Sequence, residues 1–218
     1  MKTDRTTTIE RSQNLGEEIA NCASHGFALM TAIFAGAFLL ASAGHAGAIG
    51  NVSAGVFVAT MVLLYGASTL YHATPVGRAK KLLRKVDHSA IYIFIAGSYT
   101  PFALGALSGP WGWTLFGLIW SLAAVGVALK MSNRLSQGGA STALYLVMGW
   151  LVVIAAVPIS ERVALPGVAL LLAGGIAYTV GVMFFVLDSR FHYSHAVWHC
   201  FVVAGTSCHF FAVLGYSA

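Results

Sequence analysis

Seven stretches of the 218-residue chain are apolar for long enough to cross a membrane as helices, at roughly 22–43, 48–71, 88–107, 111–130, 140–158, 163–187 and 195–216. Each is close to the ~20 residues that about 30 Å of hydrocarbon demands of a helix. Polar and charged positions fall at the ends of these runs and in the short connections between them. The pattern predicts an all-α integral membrane protein. It is a seven-transmembrane helix bundle that forms one domain over 17–218, preceded by a polar segment at 1–16. A basic start, an apolar run and Ala41-Ser-Ala43 also have the outline of a cleavable signal peptide. The leading region is too long and too acidic for one, and the run is long enough to span, so it reads as the first span.

Composition agrees with the pattern. Hydrophobic residues make up 58% of the chain and charged residues 9%, against about 25% charged in a soluble domain. The net charge of +5 is no nucleic-acid signature, because the basic residues are confined to a few connections. Eleven of the twelve Lys and Arg lie on one side of the predicted spans, and only Arg162 lies on the other. That bias puts the N-terminus in the cytoplasm and the C-terminus outside the cell membrane. The basic stretch from Arg78 to Lys85 is placed to meet anionic lipid headgroups. Cys22, Cys200 and Cys208 are an odd set in or beside apolar runs, which is not a disulfide framework. Glycines inside the spans, among them Gly36, Gly66, Gly97, Gly174 and Gly175, read as small residues at helix contacts. Pro101 is expected to kink the third span, and Trp111 and Trp113 to anchor the fourth at the outer interface.

The polar residues within the runs gather at one depth. Glu17, Asn21 and His25 form a stripe at the cytoplasmic end of the first span, and Ser68 and His72 share a face at the same end of the second. Asp87 and His88 open the third span and His195 and His199 the seventh, all from that side. The outer ends carry only His45, Glu161 and Arg162, in expected loops. The orientation used only Lys and Arg, so this coincidence is independent of it.

His72, His195 and His199 make the donor set of a catalytic zinc that keeps a fourth position open for water. Asp87 and Ser68 are placed to hydrogen-bond that water or a ligating imidazole. An ion of this kind makes hydroxide available at neutral pH, which implies hydrolysis of a carbonyl compound. A site opening sideways into the bilayer would favour a lipid substrate. The alternative for the histidines is hydrogen bonding across helices as structural glue. For Glu17, Asn21 and His25 it is bracing the site or capping the first helix. His88 is turned about 100° from Asp87 on the helix, which makes it a weaker candidate. His209 lies about 15 Å deeper than His199 and reads as an interior histidine. His192 falls in a cytoplasmic connection.

Glu17-x3-Asn21-x3-His25, Ser68-x3-His72 with Asp87, Ser98-Tyr-Thr-Pro-Phe102 and His195-x3-His199 together resemble the motifs of the haemolysin III family. That family is the bacterial branch of the progestin and adiponectin receptor superfamily. The resemblance covers nearly the whole chain. It implies a seven-helix fold and a zinc near the cytoplasmic face on His72, His195 and His199, with Asp87 beside its water and Ser68 adjoining. The superfamily's receptors resemble alkaline ceramidases, which implies hydrolysis of a lipid amide. The long cytoplasmic extension of the animal receptors is missing here, which argues against a hormone-receptor role. The expected function is therefore a zinc-dependent lipid hydrolase. Its rival is a non-enzymatic sensor, channel or cytolysin with a structural zinc. Nothing in these residues accounts for cell lysis.

Overall fold

A computed structural model describes residues 11, 13–43, 47–135 and 139–217, and the described residues are helical with no strand. The helices are α1 (Leu15–Ala43), α2 (Gly47–Ala73), α3 (Arg78–Leu104), α4 (Pro110–Met131), α5 (Gly139–Trp150), α6 (Ala156–Arg162), α7 (Leu165–Val186) and α8 (Ser194–Tyr216). A 3₁₀ turn, Leu151–Ala155, joins α5 to α6. Among the described residues six helices are long and apolar enough to span a bilayer, counting Gly139–Arg162 as one. The protein is a multi-pass membrane protein. His45 lies outside the described residues.

The helices close into a ring. Each packs on its sequence neighbour, α5 and α6 through the 3₁₀ turn that joins them, α5 also packs on α7, and α8 returns to α1, while α3 also reaches α5 and α8. The central position of α3 explains its composition. Thirteen of its residues are buried, among them Asp87, His88, Ser89, Ser98 and Thr100. A helix wrapped by protein can carry polar groups that a lipid-facing helix cannot. In contrast, α7 buries only Gly167, Gly174 and Gly181. These three glycines recur every seventh residue along one face. A Cβ at each would run into Tyr216, His209, or Phe201 and Trp198 of α8. The expected role of Gly174 as a contact residue is met, and close backbone approach is what drives helix association where the surroundings are as apolar as the side chains. Gly174→Val is expected to lower stability by ~1–3 kcal/mol through overpacking, read as the midpoint of thermal or SDS unfolding in detergent.

Three element boundaries differ from the sequence expectation. The basic stretch at 78–85 is no loop but the first two turns of α3. Lys80 Nζ folds back to the carbonyls of Tyr71 and Thr74 at 3.2 and 3.1 Å, capping the end of α2. It satisfies carbonyls that the helix end leaves open, so part of this charge serves the fold. The fifth span is broken at 151–155, where the sequence is uniformly apolar. Tyr99 holds that break: its one hydroxyl proton is shared between the carbonyls of Met148 and Gly149 (2.9 and 2.7 Å), and its oxygen accepts the Val152 N–H (2.9 Å). Glu161 and Arg162 close α6 rather than lying in a loop. The Arg162 guanidinium donates to the Ser108 carbonyl at the α3–α4 turn.

Candidate metal centre

α8 brings His195 and His199 to one face because four residues are close to one helical turn. α2 ends beside them with His72. One ligand atom from each of these three buried histidines lies within 4.8 Å of the others. Ring centroids are 4.7 Å apart for His195 and His199, 5.1 Å for His72 and His195, and 5.2 Å for His72 and His199. The sequence-predicted triad thus converges.

Each imidazole is oriented through its Nδ1. His72 Nδ1 donates to Glu18 Oε2 at 2.8 Å, His195 Nδ1 to Asp188 Oδ2 at 3.1 Å, and His199 Nδ1 to the Asn21 carbonyl at 3.2 Å, with Ser24 Oγ also at 2.9 Å. Oxygen acceptors at all three Nδ1 atoms fix the tautomer that leaves the Nε2 lone pairs inward. His72 Nε2 is buried with no hydrogen-bond partner. An unpartnered nitrogen lone pair that far from water is costly unless something electrophilic meets it. The site fits a divalent ion that accepts nitrogen ligands, and among the described residues the group holds three histidines and no fourth residue.

Neither Asp87 nor Ser68 holds a ligating imidazole's outer nitrogen. Glu18, Asp188 and the Asn21 carbonyl hold them instead. Glu18 also pairs with Lys80 at 2.8 Å, so α1, α2 and α3 meet at this carboxylate. Ser68 Oγ lies 2.7 Å from His25 Nδ1, and the His25 ring stacks on His199 at 3.5 Å. His25 therefore braces His199 by stacking. Asp87, Ser68, His25, His195 and His199 line one end of a cavity of about 310 Å³. The remaining wall is mostly apolar and runs past Phe94, Phe102 and Leu171 to Ile159, near the opposite end of the bundle. His88 lines it too, edge-on to Phe185 with centroids 6.2 Å apart. His209 lines its far part against Tyr178 and is not in the histidine group.

The stripe at the start of α1 divides its labour. Glu17 is buried and turned from the histidines, taking two hydrogen bonds from the Arg11 guanidinium (2.5 and 2.7 Å) and one from the Tyr193 N–H (3.0 Å). Arg11 is held more firmly protonated by that pairing. Asn21 gives its carbonyl to His199 and its side-chain amide to Gln13 at 2.7 Å. Glu18, Ser24 and Asp188 escaped sequence reasoning. Glu18 and Ser24 lie off the spacing-by-four stripe, and Asp188 lies in the α7–α8 turn, which has no period.

A family model described as haemolysin-III related matches residues 13–210. The chain is 43% identical over 206 residues to Hemolysin-3 of Bacillus cereus, covering 94% of each chain. It is 43% identical over 201 residues to a Hemolysin-3 homolog of Bacillus subtilis strain 168, covering 92% of this chain and 94% of the relative. The human monocyte to macrophage differentiation factor is 29% identical over 211 residues, 92% of this chain and 84% of that protein. No solved structure matches the chain significantly.

Proposed function

The chain belongs to the haemolysin III family of multi-pass membrane proteins, and on that footing we propose that it is a zinc-dependent hydrolase of a lipid amide or ester in the bacterial cell membrane. One observation carries the reading. Three buried histidines, each oriented through its outer nitrogen, converge beside an acyl-sized apolar cavity, which two of them, His195 and His199, line together with Asp87. His72, His195 and His199 would hold the ion. A divalent ion there supplies Lewis acidity toward a carbonyl and activation of water near neutral pH. Asp87 orients the attacking water and takes its proton, a task for a carboxylate not engaged in holding a ligand. Ser68 and His25 keep the His199 face of the site fixed. The apolar wall takes the acyl chain and keeps bulk water from the reacting carbonyl.

The test is elemental analysis of purified protein combined with a hydrolysis screen over ceramide-like amides and acyl esters. The expected result is one zinc per chain and release of free fatty acid. Metal-loaded protein that cleaves none of these lipids would favour a structural ion in a sensor, channel or cytolysin.

Seven crossings with the N-terminus in the cytoplasm belong to the same proposal. At 27 residues α3 is about 40 Å long, enough to cross, and its polarity suits a helix wrapped by protein rather than lipid. Eleven of twelve basic residues support the orientation. An alkaline phosphatase reporter fused after Tyr216 is expected to be active, and one fused after Arg134 inactive. The opposite pair of results would reverse the topology.

A further inference from the structure

The residues just before α1 make contacts that the hydrolase reading does not use. Gln13 lies between two groups of the metal centre: its side-chain oxygen accepts from Asn21 Nδ2 at 2.7 Å, and its amide donates to Asp188 Oδ2 at 2.9 Å. That same Oδ2 receives His195 Nδ1. Arg11, bound to Glu17, also donates to the backbone carbonyls of Asp188 and Phe191 at 3.3 and 3.4 Å. Glu17 in turn accepts the N–H of Tyr193, the residue that enters α8 with φ 60. A tyrosine rarely adopts that left-handed backbone conformation unless its neighbours impose it. Gly16 lies against the Tyr193 hydroxyl, where a Cβ would come within 2.9 Å. Four residues of one short segment thus grip the turn that aims His195.

We propose that Arg11, Gln13 and Glu17 form a latch on the α7–α8 turn, holding Asp188 against His195 and so setting how tightly the protein retains its metal. The physical reason is that an outer carboxylate orients a ligating imidazole only if the carboxylate is itself fixed. Asp188 sits on a turn between two helices, where nothing regular fixes it. Gln13 and Arg11 supply the missing restraint from the start of the neighbouring helix, where α1 packs on α8. Gln13, Arg11 and Asp188 are positioning residues: none is placed to touch substrate.

This inference rests on the metal reading, and the experiment separates the two. The full-length protein is purified in detergent, loaded with Co²⁺ as a spectroscopic probe, and challenged with a chelator. Gln13→Ala and Asp188→Asn are expected to speed metal release by ~10–100-fold, the range for losing an outer partner of a ligating histidine. Both are expected to shift the cobalt ligand-field bands, because the His195 ring is freed to turn. Arg11→Ala is expected to change release in the same direction. A role in folding alone would lower the unfolding midpoint while leaving bands and release rate unchanged, and that result overturns the latch. Wild-type protein that takes up no cobalt overturns the metal reading itself. Wild type that binds cobalt while Gln13→Ala and Asp188→Asn release it at the same rate overturns the latch alone.

Discussion

His199→Ala is expected to empty the metal site while the helical bundle stays folded. His199 is the centre of the constellation: it is 1% exposed, lies against His25, and meets His72 and His195 edge-on. Its Nδ1 is tied to α1 through the Asn21 carbonyl and Ser24. Removing it leaves two histidines on different helices, which cannot enclose an ion. The loss in affinity is expected to exceed the ~10–100-fold cost of deleting an outer-shell partner. The matched comparison is His209→Ala. That residue lies on the same helix about 15 Å further along and is expected to keep full metal. Elemental analysis of both variants, with helicity checked by circular dichroism, decides the matter. Full occupancy in His199→Ala would show that the ligand set is wrong.

Much of this site could be read in advance because its parts obey helical spacing. His195 and His199 announce a shared face by their separation alone, and Ser68 with His72 does the same. Asp87 follows from depth once the basic residues orient the spans. What escaped was whatever lacks a period. Glu18 is one residue from Glu17 and therefore about 100° around the helix; the carboxylate that reaches His72 is the one the stripe passes over. Asp188 comes from a turn. The division within the stripe also depends on packing: Glu17 faces Arg11 and the α7–α8 turn, while Asn21 works through its backbone oxygen, which no side-chain pattern encodes.

The fold follows the same rule. The order and approximate extent of the apolar runs could be read from composition, since burial in lipid demands continuous hydrophobicity. The break at Leu151–Ala155 could not, because its cause is the Tyr99 hydroxyl on another helix. The early start of α3 was hidden for a different reason. Lys and Arg report orientation wherever they stand, in a loop or on helical turns at the membrane edge, and so they do not mark where the helix begins.

Asp87→Asn is expected to cut turnover sharply without releasing the metal. The substitution keeps the volume of a residue only 7% exposed and removes the charge. The Asp87 carboxylate lies within electrostatic reach of His195 and of the buried Lys130, beside Ser68, and it lines the end of the cavity where the histidines converge. The three outer nitrogens have their own acceptors, so the ion's seat is expected to survive. A positioned general base is worth ~10²–10⁴-fold in rate, and kcat is expected to fall by about that much. KM is expected to change little, because the apolar wall proposed to take the acyl chain is untouched. The two measurements needed are metal per chain and steady-state kinetics on whichever lipid the screen identifies. Metal and activity lost together would make Asp87 a ligand or a support of the fold. Full activity with full metal would mean that the proton of the attacking water goes elsewhere, and His25, buried with an unpartnered Nε2 and joined to Ser68, would be the next group to replace.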